Sequence, residues 1–302
     1  MVVLGVFLGV LYALTTSFGN VLSRRFVIVH HTTALRMLVL SHAAMGTMAV
    51  IAAALLWTPD VPPMGEWIYD CLFVVFAYMT GQLAMLIGLG KSDSSRVTPL
   101  LGLKVFFVAL LAWVWRGQAF TVQQWVAVVL SVAATFLLNR AGVKLPWSTV
   151  LTMVFACFMY AACDTRIGVM NHTLETAGGL RLVYFGAACT YCVCGVVSVV
   201  LLPWQGSRDK AEWRAAYEYG VLWLAAAAML YSAFTYSGVV LINIVMACRG
   251  LTSVLIGVLV AWAGHHHLEQ RATGRVWLRR AVAASILAAA VVLFKLDLSH
   301  LW

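Results

Sequence analysis

SSRVTPLLGLKVFFVALLAWVW, residues 94–115, is the stretch on which the fold turns. From Val97 onward it is as apolar as a helix that crosses a bilayer, yet it carries Lys104 near its middle. A lysine at the centre of a span costs roughly 2.5–3.5 kcal/mol on insertion scales, so such residues face protein or water and mark a pathway. Snorkelling to the interface is the bland alternative. It demands a long reach, because Lys104 sits seven residues in from Val97.

The whole chain has the same character. Of 302 residues, 63% are hydrophobic and 10% charged, and the mean hydropathy is +0.93, against roughly 45–50% apolar and about 25% charged for a soluble domain. A soluble core cannot hide that much apolar surface. The N-terminal MVVLGVFLGVLYALTTSFG lacks a basic leader and a cleavage signature, so it reads as a first span and not as a removed signal. The formal charge of +9 suits basic loops at a membrane surface and gives no reason to invoke nucleic acid.

Runs of about 17–25 apolar residues mark membrane helices. Ten are expected, near 2–22, 35–57, 68–89, 97–115, 122–138, 148–167, 179–202, 219–238, 244–264 and 276–294. The charged segment 203–218 (PWQGSRDKAEWRAAYE) is expected at the interface. The fold class is therefore an all-α polytopic membrane bundle, since in lipid each backbone group must be bonded within its own segment.

The spans echo one another. LLAWVW at 110–115 is answered by VLVAWAG at 258–264, AVVLSVAATFLL at 127–138 by AVAASILAAAVVLF at 281–294, and Tyr12-Ala13 by Tyr160-Ala161. Two five-helix repeats follow, 1–141 and 142–302. Because five is odd, the second enters the membrane in the opposite sense. Inverted repeats of this kind build carriers with a midplane site reached from either face in turn.

The run SSRVTPLLGLKVFFVALLAWVWRGQAFTVQQWVAVVLSVAATFLL, with CRGLTSVLIGVLVAWAG as its second copy, resembles the EamA-type carriers of the drug/metabolite transporter (DMT) superfamily. The resemblance implies ten helices around a central cavity lined mainly by spans one, three, four, six, eight and nine, and a secondary transporter that is not an enzyme. Two departures stand out. Leu103-Lys104-Val105-Phe106 occupies the place where relatives often read Leu-Glu-Pro-Val, and Gly117-Gln118 the place where they often read Gly-Glu.

Basic residues cluster on one side: Arg24, Arg25, Arg36, Lys91, Arg96, Arg140, Lys144, Arg208, Lys210, Arg214, Arg271, Arg275, Arg279 and Arg280 against Arg116, Arg166, Arg181 and Lys295. The positive-inside rule puts the first group in the cytoplasm and both termini outside. The resemblance implies both termini inside. The expected location is a bacterial inner membrane, with the protein a monomer or homodimer.

Lys104 and Arg249 are the basic residues expected within spans. With Trp113 and Trp262 taken as equivalent, Lys104 falls opposite Ser253 and Arg249 opposite Leu100, so each cation lies about one turn from the other's symmetric position. Residues three and four apart share a helix face; Arg249 thus has Thr252 and Ser253 beside it, and Lys104 has an apolar wall. Tyr78 and Gln82 in span three match Tyr231 and Thr235 in span eight. Arginine forks suit carboxylate or phosphate, and lysine adds a point charge. The expected ligand is a small anionic or zwitterionic metabolite, amino-acid-like or an organic or phosphorylated acid. Asp164 is the candidate for proton coupling, with Arg166, Lys104 or headgroup water as its alternative partners; Asp70 is expected at the interface.

Other features carry less. Cys189, Cys192 and Cys194 lie in an apolar helix where 189 and 192 share a face and 194 does not, which fits small core residues. His265-His266-His267 lacks a second ligand cluster, so no metal is expected, and Gly5-x-x-x-Gly9 is a helix-packing spacing. No GxSxG, HExxH or phosphate-loop pattern is present, and no cofactor is expected. The rival classes are a membrane-embedded enzyme acting on lipid and a non-transporting subunit of a membrane complex.

Overall fold

The computed structural model describes residues 1–91, 97–139, 146–207, 209–249, 252, 256 and 274–295. These residues form helices and turns without a strand. In chain order the helices are α1 (Val2–Val29), α2 (Ala34–Leu56), α3 (Ile68–Lys91), a 3₁₀ segment (Thr98–Leu103) that leads directly into α4 (Lys104–Arg116), and α5 (Val122–Asn139). A helical run over Trp147–Gln205 follows, then α8 (Lys210–Ser237), α9 (Val239–Met246) and α10 (Gly274–Lys295). Trp147–Gln205 breaks at Gly178 (φ −157°) and Gly179 (φ 66°), the second in the left-handed region that glycine enters without a Cβ penalty. Its arms are α6 (147–177) and α7 (180–205).

The break reverses the chain. Along α3, Asp70 meets Arg166, Gly81 meets Met159 and Gly88 meets Met153, so α6 runs antiparallel to α3. Trp67 meets Phe185 and Tyr78 meets Tyr191 in the same order, so α7 runs parallel to it. α1, α2, α3, the Trp147–Gln205 pair and α8 are long and apolar enough to cross a bilayer.

Three expectations need correction. Span six does not end near 167; α6 continues to the Gly178–Gly179 break, which leaves Asp164 deep in the bundle instead of near a helix end, and only 3% exposed. The segment 203–218 is not a separate interfacial piece. From Lys210 it is the first turns of α8, capped where Asp209 accepts from the Ala211 amide at 2.8 Å, with Glu212 buried. Span nine begins earlier than 244: α9 starts at Val239, and most of residues 250–273, including His265–His267, lie outside the described residues.

α1 packs along α8 and against α9, α3 along α6 and α7, α4 against α6, and α5 against α10. Gly5 of α1 lies against Ser237 and Gly9 against Val245, so the Gly-x-x-x-Gly spacing does bring helices close. At the crossing of α2 and α7 the two backbones themselves touch: a Cβ on Gly46 would lie 2.6 Å from the Gly195 Cα. Only glycine on both sides permits that backbone contact. We expect Gly46→Val to force the two helices apart and cost roughly 1–3 kcal/mol by overpacking, measured as a lowered Tm of the purified protein.

Candidate functional site: a cationic cavity in the bundle

The sequence-predicted cations converge. Lys104 stands at the junction of the 3₁₀ segment and α4, Arg249 lies three residues beyond α9, and both line one interior cavity with Tyr12, Tyr160, Asp164 and Asn243. The cavity holds about 40 Å³, room for a few water molecules. Tyr78 and Tyr231 also line it. The described walls come from α1, α3, α4, α6, α8 and α9 and the segments flanking α4 and α9, with Thr190 and Tyr191 of α7 in addition.

Gln82, Thr235 and Thr252 do other work. The Gln82 side chain donates to Tyr219 Oη at 2.9 Å and accepts from Tyr160 Oη, so it holds two tyrosines in place behind the cavity wall. Thr235 donates to the Tyr231 carbonyl and receives the Asn171 amide. The Thr252 hydroxyl lies 2.6 Å from Ser17 Oγ and ties the chain after Arg249 to α1. Ser253 lies outside the described residues.

Within the cavity the charges do not match one for one. Lys104 Nζ donates to Asp164 Oδ2 at 2.7 Å, and Asn243 Nδ2 donates to the same oxygen at 2.9 Å. Both ionic side chains are nearly sealed, at 7% and 5% exposed. Asp164 thus takes Lys104 as its partner, while Arg166 bonds Asp70, near the start of α3, at 3.0 Å, its guanidinium 5.6 Å from the ring centroids of both Phe73 and Trp115. Arg249 is buried and lies over the Tyr12 ring, 4.9 Å from its centroid; among the described residues its Nε has no hydrogen-bond partner. A guanidinium held over an aromatic face gains cation–π attraction, and its planar fork has the geometry to receive a carboxylate or phosphate.

The two cations are placed alike. Lys104 Nζ is 5.9 Å from the Tyr160 ring, as Arg249 is over Tyr12. Tyr12 and Tyr160 were visible as an echo between spans one and six, but nothing in the sequence indicated that each would meet the cation of the other half. Asn243 was missed as well, although a polar residue inside VVLINIVM is a signal of its own.

Among the described residues one group of side chains has metal-ligand geometry, His30, Asp209 and Glu212, with ligating atoms within 4.8 Å of one another. Its carboxylates are already committed, Glu212 to Arg36 at 2.9 Å and Asp209 to the start of α8. Cys189, Cys192 and Cys194 are free cysteines.

Long apolar helices and a sealed ionic interior define an integral multi-pass membrane protein. The family model of EamA-like transporters matches residues 3–140 of this chain. A solved crystal structure aligns over 99% of this chain and 97% of its own, with a TM-score of 0.65 at 12% identity, a likeness of fold alone. No curated protein matches the sequence.

Removing one partner from a buried ion pair strands the other, at a cost of roughly 3–5 kcal/mol, whereas replacing both can be neutral. Lys104→Met is therefore expected to lower the Tm more than the double variant Lys104→Met/Asp164→Asn does. Equal losses in the two proteins would show that the pair contributes nothing to holding α4 against α6.

Proposed function

We propose that the protein is a secondary transporter that moves a small anionic or zwitterionic metabolite across the membrane by alternating access, the acid group being received by Arg249. The carrying observation is the surplus cation among the described residues: two buried basic side chains line the cavity, and the acid beside them is already bonded to Lys104. Asp164 takes up one positive charge and leaves the other for a ligand. This shifts the weight of the anion site from a Lys104–Arg249 pair to Arg249, with Tyr12 beneath it and Tyr78 and Tyr231 nearby for the body of the ligand. The ligand class includes amino-acid-like molecules and organic or phosphorylated acids.

Several features support alternating access. The cavity is too small for a metabolite, so loading requires its walls to move. A wider opening of about 450 Å³, bordered by Arg25, His30, Arg214 and Glu218, reaches Tyr219. From there the Tyr219–Gln82–Tyr160 hydrogen bonds close the way to the central cavity. The contacts also come in pairs that exchange when the halves 1–141 and 142–302 are exchanged: α1 with α8 answers α3 with α6, α1 with α9 answers α4 with α6, and α2–α7 and α5–α10 answer themselves. This is the pattern expected of inverted repeats. The charge count favours a cytoplasmic position for the end bearing Arg25 and Arg214, in a bacterial inner membrane, with both termini outside.

In proteoliposomes screened with labelled short carboxylates, phosphorylated acids and amino acids, Arg249→Gln is expected to reduce uptake of the accepted compound at least tenfold. Arg249→Lys, which keeps the charge and loses the fork, retains part of the activity. Wild-type uptake by Arg249→Gln would overturn the reading.

We further propose that Asp164 couples transport to protons by exchanging Lys104 for a proton. In Asp164→Asn/Lys104→Met, which removes the carboxylate without stranding its lysine, the acceleration of uptake by an imposed pH gradient is expected to vanish while counterflow exchange persists. A gradient response equal to wild type would exclude this role.

A further inference from the structure

The central cavity shares its walls with a second, chemically opposite space. A groove of about 240 Å³ lies between α2, α7 and α8, and Tyr191 and Ala227 border both it and the central cavity. The groove is built mostly from alanine. Ala49 comes from α2, Ala187 and Ala188 from α7 and Ala228 from α8, and none of the described residues lining it is charged. Ala187 and Ala188 are buried, whereas Ala52, Leu56 and Leu224 are partly exposed and carry the groove to the outside of the bundle. All three helices belong to segments long and apolar enough to cross a bilayer, which makes lipid chains the natural neighbour of the groove's open side.

Interiors are close-packed, and larger side chains at these alanine positions would fill the space. A wholly polar metabolite held at Arg249 would make no use of it. We propose that the ligand is an amphiphile: an anionic group at Arg249 in the central cavity, and an unbranched apolar tail that passes Tyr191 and Ala227 into the alanine groove. The inference rests on the anion reading given above and narrows its substrate class. It also gives the groove a role as a side opening, through which a tail remains among lipid chains while its head is held in the cavity.

The test uses the full chain in lipid nanodiscs and a series of soluble probes, butanoate, hexanoate and octanoate, with apparent Kd read from ligand-dependent thermal stabilisation. Full burial of one methylene tightens binding about fourfold, the factor corresponding to about 0.8 kcal/mol. Allowing for partial burial, octanoate is expected to bind at least tenfold more tightly than butanoate. In Ala187→Leu/Ala228→Leu, which fills the groove, that gain should vanish while butanoate affinity stays within twofold. Ala52→Leu, at a partly exposed position, offers a milder filling in case the double variant does not fold, and should reduce the gain.

Arg249→Gln should weaken every member of the series. Equal affinities for the three probes in the unmodified protein would overturn the amphiphile and leave the anion reading standing. An undiminished gain in both filled variants would mean that ordinary partitioning into the bilayer carries the tail, and would also overturn it. Binding of butanoate that ignores Arg249→Gln would remove the anion reading and this inference together.

Discussion

An ammonium and a carboxylate 2.7 Å apart, both closed off from solvent, hold the centre of this molecule together. The bond joins α4 to α6, and Asn243, donating to the same carboxylate oxygen, draws in α9. Charges taken out of water are tolerated only when their partners are close and well aligned. The helices that bring these three side chains together are therefore constrained to meet at one depth. The rest of the interior is arranged around that meeting point: Tyr160 beside Lys104, Tyr12 beneath Arg249, and Gln82 behind them linking Tyr160 to Tyr219.

The same bond gives the cavity its electrical character. Without Asp164, two adjacent cations would repel each other in a medium that screens them poorly. With it, one is matched, and the other has no carboxylate partner among the described residues. That second charge is an arginine, whose planar fork receives an acid group more readily than a lysine does, and it faces a space that borders an apolar groove. The proposed ligand follows from this pairing of a cation with alanine-lined space.

Much of the fold was legible because a bilayer is a demanding solvent. Apolar runs long enough to cross it must be helical, so the spans near 35–57, 68–89 and 122–138 agree with α2, α3 and α5 to within a few residues. The errors fell where the length rule has no purchase. Nothing in apolar content distinguishes a helix ending at 167 from one running on to a glycine break, and the charged face of 210–218 reads as interfacial until Glu212 is seen paired with Arg36 from α2. The site was legible in part. A lysine and an arginine in apolar surroundings stand out because burying them is costly. Gln82 and Thr235 were grouped with them through helical spacing, which reports a shared face and not what that face meets.

By itself the sequence determined that the chain is a helical membrane protein and that Lys104 and Arg249 must find protein or water inside it, since both conclusions follow from transfer energies that depend only on residue type. The tertiary structure alone decided which cation Asp164 neutralises. That choice depends on distances between α4, α6 and α9, helices separated by up to 79 residues of chain at the bonded side chains. Spacing along one helix carries no information about which neighbour, at which depth, it will face.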